Sequence, residues 1–91
     1  MARYGNAGNL STATTVKSGT VEIGAVTLTG GSVAATLVLH DATDASNQAY
    51  PTIKAAIDTT VHIRFPGGLT FGAGLHAVPS GTGAEFGVAF V

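Results

Sequence analysis

The chain has no cysteine and no tryptophan, and only 10% of its 91 residues are charged. Without cysteine there is no disulfide and no thiolate metal site, and cysteine usage says nothing about a redox compartment. The low charge is unusual, since an ordinary soluble domain carries roughly 25% Asp, Glu, Lys and Arg. The basic residues are Arg3, Lys17, Lys54 and Arg64, scattered along the sequence. Nucleic-acid binding needs clustered Lys and Arg to displace counterions from phosphates, so nucleic acid is not an expected partner. A polybasic membrane patch is missing for the same reason. No apolar run nears the ~18 residues of a membrane helix. The opening MARYGNAGNLSTATT has no apolar core of signal-peptide length, so we expect cytoplasmic synthesis without processing.

What the chain has in abundance is Thr, Val, Ala and Gly, with 45% hydrophobic residues and thirteen glycines. Its length suits one domain. A surface this poor in charge is made of small and apolar groups, which suits a protein packed against neighbours.

Short β-branched runs separated by Gly, Pro, Asn, Asp and Ser clusters predict an all-β fold. We expect a small antiparallel β-sandwich or jelly-roll-like barrel of about seven to eight strands, over residues 13–91. Residues 1–12, with Tyr4 and Leu10 as their large apolar groups, are expected as an extended N-terminal arm. A first strand is expected over Ala13–Lys17, then a turn at Ser18-Gly19. In Thr20–Thr29 the apolar phase changes: Val21 and Ile23 share one parity, Val26 and Leu28 the other. One extra residue at Gly24-Ala25 restores a common face, which predicts a β-bulge there.

After the Gly30-Gly31-Ser32 turn, Val33, Ala35, Leu37 and Leu39 alternate with polar or smaller partners. Residues 41–48 form a polar loop. Ile53, Ala55 and Ile57 are expected on one face of a strand begun by Pro51, and Val61, Ile63 and Phe65 on one face of the next. Pro66-Gly67-Gly68 is expected to break the chain, with Leu69–Phe71 and Leu75–Val78 as strand pieces around Gly72-Ala73-Gly74. Pro79–Gly83 reads as a hairpin loop before a final strand with Phe86, Val88 and Phe90 inward. Glu85, Gly87 and Ala89 then form a small-residue outer face. The expected core is Ile23, Leu37, Leu39, Ile57, Ile63, Phe65, Phe71, Phe86 and Val88.

Candidate chemistry is sparse. Asp41 and Asp44, near Ser46 and Asn47, lack the spacing of a Ca²⁺ loop and read as turn formers that bond their own backbone. His40, His62 and His76 fall on three separate strands, with no His-x-His pair, and read as surface or interface histidines rather than zinc ligands. There is no Gly-x-Ser-x-Gly elbow. Glu22 and Glu85 are indistinguishable from solvated strand residues, and the Gly-rich segments are flanked by strands, unlike a phosphate loop. We therefore expect no enzyme and no cofactor or metal.

Three segments carry a resemblance: Val16-Lys17-Ser18-Gly19, Leu39-His40-Asp41-Ala42-Thr43, and Pro66–Val78, read PGGLTFGAGLHAV. Together they make the stretch from Val16 to Val91 similar to short virion proteins of tailed bacteriophages. The chain departs from that pattern after Gly19, where Thr20-Val21-Glu22 stands in place of a longer apolar strand. The resemblance implies a structural subunit on the capsid exterior, of decoration or cement type, with no catalytic residues. Its implied partners are the major capsid protein and copies of itself on a symmetric lattice. Arg3, Tyr4, Leu10, Leu69, Leu75 and His76 are the expected contact residues. The rival reading is a receptor- or carbohydrate-binding module of a tail or host surface. Against it, Tyr4 and Tyr50 are the only tyrosines, and no tryptophan could form a sugar platform.

Overall fold

The computed structural model describes residues 5–91. Among these residues there is no helix, and the chain runs through β1 (Gly5–Leu10), β2 (Thr14–Ser18), β3 (Val21–Thr29), β4 (Ala35–His40), β5 (Ile53–Ala55), β6 (Thr60–Phe71), β7 (Gly74–Ser80) and β8 (Glu85–Phe90). Two 4-stranded sheets form, in the orders β1-β8-β3-β6 and β2-β7-β4-β5. Every pairing within them is antiparallel. Only β4 and β5 are consecutive strands of one sheet; each other connection crosses to the opposite sheet. This is the strand order of a jelly-roll sandwich.

The order follows from burial. β3, β4, β7 and β8 each show one apolar face, and two sheets facing each other bury both sets at once. Val21, Ile23, Val26 and Leu28 of β3 meet Leu37 and Leu39 of β4, Leu75 and Ala77 of β7, and Phe86 and Val88 of β8 in one buried cluster. These four residues of β3 are at most 1% exposed. They reach one face because the register shifts between Ile23 and Ala25 against both β6 and β8. The bulge thus sits where the phase change in the sequence placed it.

Other expectations need correction. Pro66-Gly67-Gly68 does not break the chain. β6 continues through it, and Phe65–Gly68 are the residues left over between the Arg64–Ala25 and Leu69–Ile23 pairs. Gly67 and Gly68 stand at φ 82° and 84°, a left-handed conformation that lets the extra residues loop out of the ladder. The Pro79–Gly83 segment is not a hairpin: Pro79 and Ser80 are still paired to Leu37 and Thr36, and the following residues cross between sheets.

Of the expected core, Ile23, Leu37, Leu39, Phe71, Phe86 and Val88 are buried. Ile63 and Phe65 only pack against its margin, since β6 is an edge strand with a neighbour on one side. Ile57 is 56% exposed, because β5 ends at Ala55 and the chain turns through Asp58 at φ 52°. Val33 is 43% exposed, because β4 begins only at Ala35.

The segment expected as an arm is extended but docked. Gly5–Leu10 pairs with β8 as the outer strand of its sheet, and Leu10 packs against the core.

Candidate interaction surface

The crossing connections sort the loops into two groups, one at each end of the sandwich. At the first end lie the β3–β4, β5–β6 and β7–β8 loops, knit together through backbone. Gly30 N donates to Thr59 O at 2.9 Å, and Asp58 N donates to Gly31 O at 3.1 Å. The packing is close enough to forbid side chains. A Cβ on Gly30 would overlap the Ala56 carbonyl, and one on Gly31 would lie 2.6 Å from the Thr82 carbonyl oxygen. At Gly81 it would lie 2.5 Å from the Ala34 carbonyl oxygen. Glycine is required here by space.

On this interlocked end stand the exposed Val33 and Ile57, flanked by the exposed Ala34 and Ala56. Loops built this way hold apolar side chains in water without giving them a flexible base. Sequence reasoning put both residues on inward strand faces. The signal that could have moved them is their position: each falls next to a Gly-Ser or Asp-Thr turn, where alternation ends.

The second end holds the β2–β3, β4–β5 and β6–β7 connections. Asp41 bridges two of them: Ala73 N donates to Asp41 Oδ1 at 2.9 Å and Gly72 N to Oδ2 at 3.4 Å. This corrects the expectation that Asp41 bonds its own backbone: its carboxylate closes a distant turn instead. Ser46 Oγ donates to Asp44 Oδ1 within the same loop.

This loop folds over the outer face of the β2-β7-β4-β5 sheet. There Thr15, His76 and His40 form one cross-strand row on β2, β7 and β4. The two imidazole centroids are 6.1 Å apart. His40 Nδ1 bonds Ser46 O at 2.9 Å, and His40 is 8% exposed. This corrects the expectation of a surface histidine: the loop covers it. His76 Nδ1 bonds Thr15 Oγ1 at 2.8 Å, and Thr15 Oγ1 donates to Thr43 O at 3.0 Å. His62 is apart from them, exposed on β6 of the other sheet, its Nδ1 bonded to Thr27 Oγ1 at 2.9 Å.

The remaining expected contact residues are dispersed. Arg3 and Tyr4 lie outside the described residues. Leu10 and Leu69 are half-buried against the core. Leu75 is a correction: it is 0% exposed, because alternation along β7 turns it inward with Ala77, so it can touch no partner.

Comparison with protein-family models, curated proteins and solved structures gives no match. Among the described residues, no group of three or more His, Asp or Glu side chains converges on a common point. A shallow depression of about 400 Å³ is lined by Gln48, Ala49, Tyr50 and Pro51. The Tyr50 ring meets Phe65 edge-on at 5.3 Å and 88°. Gln48 Nε2 is engaged by Tyr50 O at 2.9 Å and Thr52 Oγ1 at 3.2 Å. The depression's aromatic ring and amide nitrogen thus already have partners within the protein.

Proposed function

We propose that this chain is a structural subunit that docks on a protein lattice, specifically a decoration or cement protein on the capsid of a tailed bacteriophage. The glycine-interlocked end carrying Val33 and Ile57 supports this reading. Full burial of one such side chain stabilises a contact by roughly 1.5–3 kcal/mol. A tip knit by backbone contacts needs little further ordering on binding, so little of that gain is lost to entropy. Many copies on one shell turn a weak contact into lasting occupancy. The jelly roll is a recurrent fold of viral capsid domains, and the low charge agrees with a surface meant for neighbours. The same fold serves lectins and cupins, so the weight rests on the tip and not on the architecture.

The function is binding. Its partners are the major capsid protein and other copies of the chain, and no chemical step is assigned to any residue. The test is co-sedimentation with particles lacking this protein. Val33→Asp and Ile57→Asp place a charge at an apolar contact without touching the core. Each should lower occupancy at least tenfold while the circular dichroism spectrum stays unchanged. Full occupancy by the double variant would remove the tip from the contact and this reading with it.

A further inference from the structure

We propose that His40 and His76 form a binding site for a borderline divalent transition-metal ion of the Zn²⁺ class on the outer face of the β2-β7-β4-β5 sheet. The argument rests on where each ring's proton is held. Ser46 O is a carbonyl and can only accept, so His40 Nδ1 carries the hydrogen in their 2.9 Å bond. Thr15 Oγ1 has one hydrogen, and it is given to Thr43 O at 3.0 Å. Thr15 Oγ1 therefore accepts from His76 at 2.8 Å, and His76 Nδ1 carries the hydrogen there. In its neutral form each imidazole is thus fixed in the tautomer with the lone pair on Nε2. That is the form in which histidine binds a metal, its other nitrogen held by an oxygen acceptor.

Placement agrees with donor chemistry. His40 and His76 are directly opposite each other on neighbouring antiparallel strands, so both side chains leave the same face of the sheet. Their centroids are 6.1 Å apart with planes at 50°. With Nε2–metal bonds of about 2.0–2.1 Å, rings at this separation come within reach of one shared ion once their Nε2 atoms turn toward each other. Neither Nε2 has a hydrogen-bond partner among the described residues, and no buried side-chain nitrogen or oxygen there is left unpaired. The free nitrogen of the covered His40 is therefore reached by solvent. Two imidazoles supply only part of a coordination sphere, since no third acidic or imidazole ligand converges on them. The other positions belong to water, which leaves the ion open to a further ligand from outside the chain. Imidazole selects Zn²⁺, Ni²⁺ or Cu²⁺ over the oxygen-seeking Mg²⁺ and Ca²⁺.

Isothermal titration of the full chain with Zn²⁺ tests this, with Mg²⁺ as the contrasting ion. One Zn²⁺ should bind per chain, and Mg²⁺ should not bind. His76→Gln should remove binding, while His62→Gln, on the other sheet, should leave it intact. Thr15→Val removes the acceptor but neither ligand, and should weaken Zn²⁺ affinity roughly 10- to 100-fold with the fold retained by circular dichroism. Because His76 and Thr15 are outside the buried core, the test does not depend on a His40 variant folding. Absence of Zn²⁺ binding, binding that survives His76→Gln, or binding lost in His62→Gln would each overturn the assignment. The outcome is independent of whether the chain docks on a capsid.

Discussion

Asp41 accepts the backbone N–H of Ala73 at 2.9 Å across 32 residues of sequence. A side chain just past β4 thereby closes the turn between β6 and β7, which joins the two sheets. Asp41→Ala leaves the N–H groups of Gly72 and Ala73 to water and unties the β4–β5 loop from the β6–β7 turn. We expect a loss of about 1.5–3 kcal/mol in urea unfolding, the range of hydrogen bonds to a charged acceptor. Asp41→Asn keeps one carbonyl acceptor and should recover part of it. Equal stability of Asp41→Ala and the parent chain would show that the turn stands without this anchor.

The interlocked end gives a second expectation. Gly30→Ala drives a methyl into the Ala56 carbonyl, where the opposing group is backbone and cannot swing away. Overpacking of this kind costs about 1–3 kcal/mol or more. Gly72→Ala meets nothing within 4 Å and should be close to neutral. Thermal melts of the two variants side by side would measure the contrast, and similar midpoints would contradict the close packing described for Gly30.

The core makes graded demands on its rings. Phe86 is 2% exposed between the sheets, so Phe86→Ala should cost about 3–5 kcal/mol. Phe65 lies at the margin, edge-on to Tyr50, and its truncation should cost less than half as much. Ile57→Ala should change stability by less than about 0.5 kcal/mol, as for other exposed positions. Chemical denaturation gives all three, and a large loss at Ile57 would mean that its side chain is covered in solution.

The docking of β1 supplies a further expectation. Removing residues 1–10 strips a strand from β8 and the Leu10 side chain from the core. For a domain of this size 1 kcal/mol corresponds to roughly 4–8 °C, so the truncated chain should melt at least about 5 °C lower. An unchanged melting temperature would restore the segment to the status of a free arm.

Much of the fold is legible locally. Alternation of Leu37 and Leu39 with Thr36 and Val38 sets which face of β4 is inward, independently of any partner strand. The phase change between Ile23 and Val26 located a bulge to within a residue, because one extra residue at Gly24-Ala25 puts both apolar pairs on a common face; two short strands joined by a kink were the other repair. Failures cluster at strand ends. Alternation continues into Val33 and Ile57 on paper, but neither has a ladder neighbour to hold it inward.

The candidate sites were less legible, for a different reason. His40 and His76 are separated by 36 positions (76 − 40), and nothing local marks them as opposite each other. Gly30 meets Ala56, and Gly81 meets Ala34, through contacts between loops whose proximity depends on every crossing between the sheets.

The sequence by itself determined the strand class, most strand positions, the inward faces and the bulge. These depend on a residue's relation to its near neighbours, through side-chain alternation and the φ/ψ preferences of Gly and Pro. Only the tertiary structure decided which sheet each strand joined, that the Gly72-Ala73 and Gly81–Ala84 connections cross between sheets instead of closing hairpins, and that Leu75 is buried while Ile57 is not. Those outcomes follow from burying two apolar faces against each other. That is a non-local free energy, summed over residues distant in sequence, and no single window of the chain contains it.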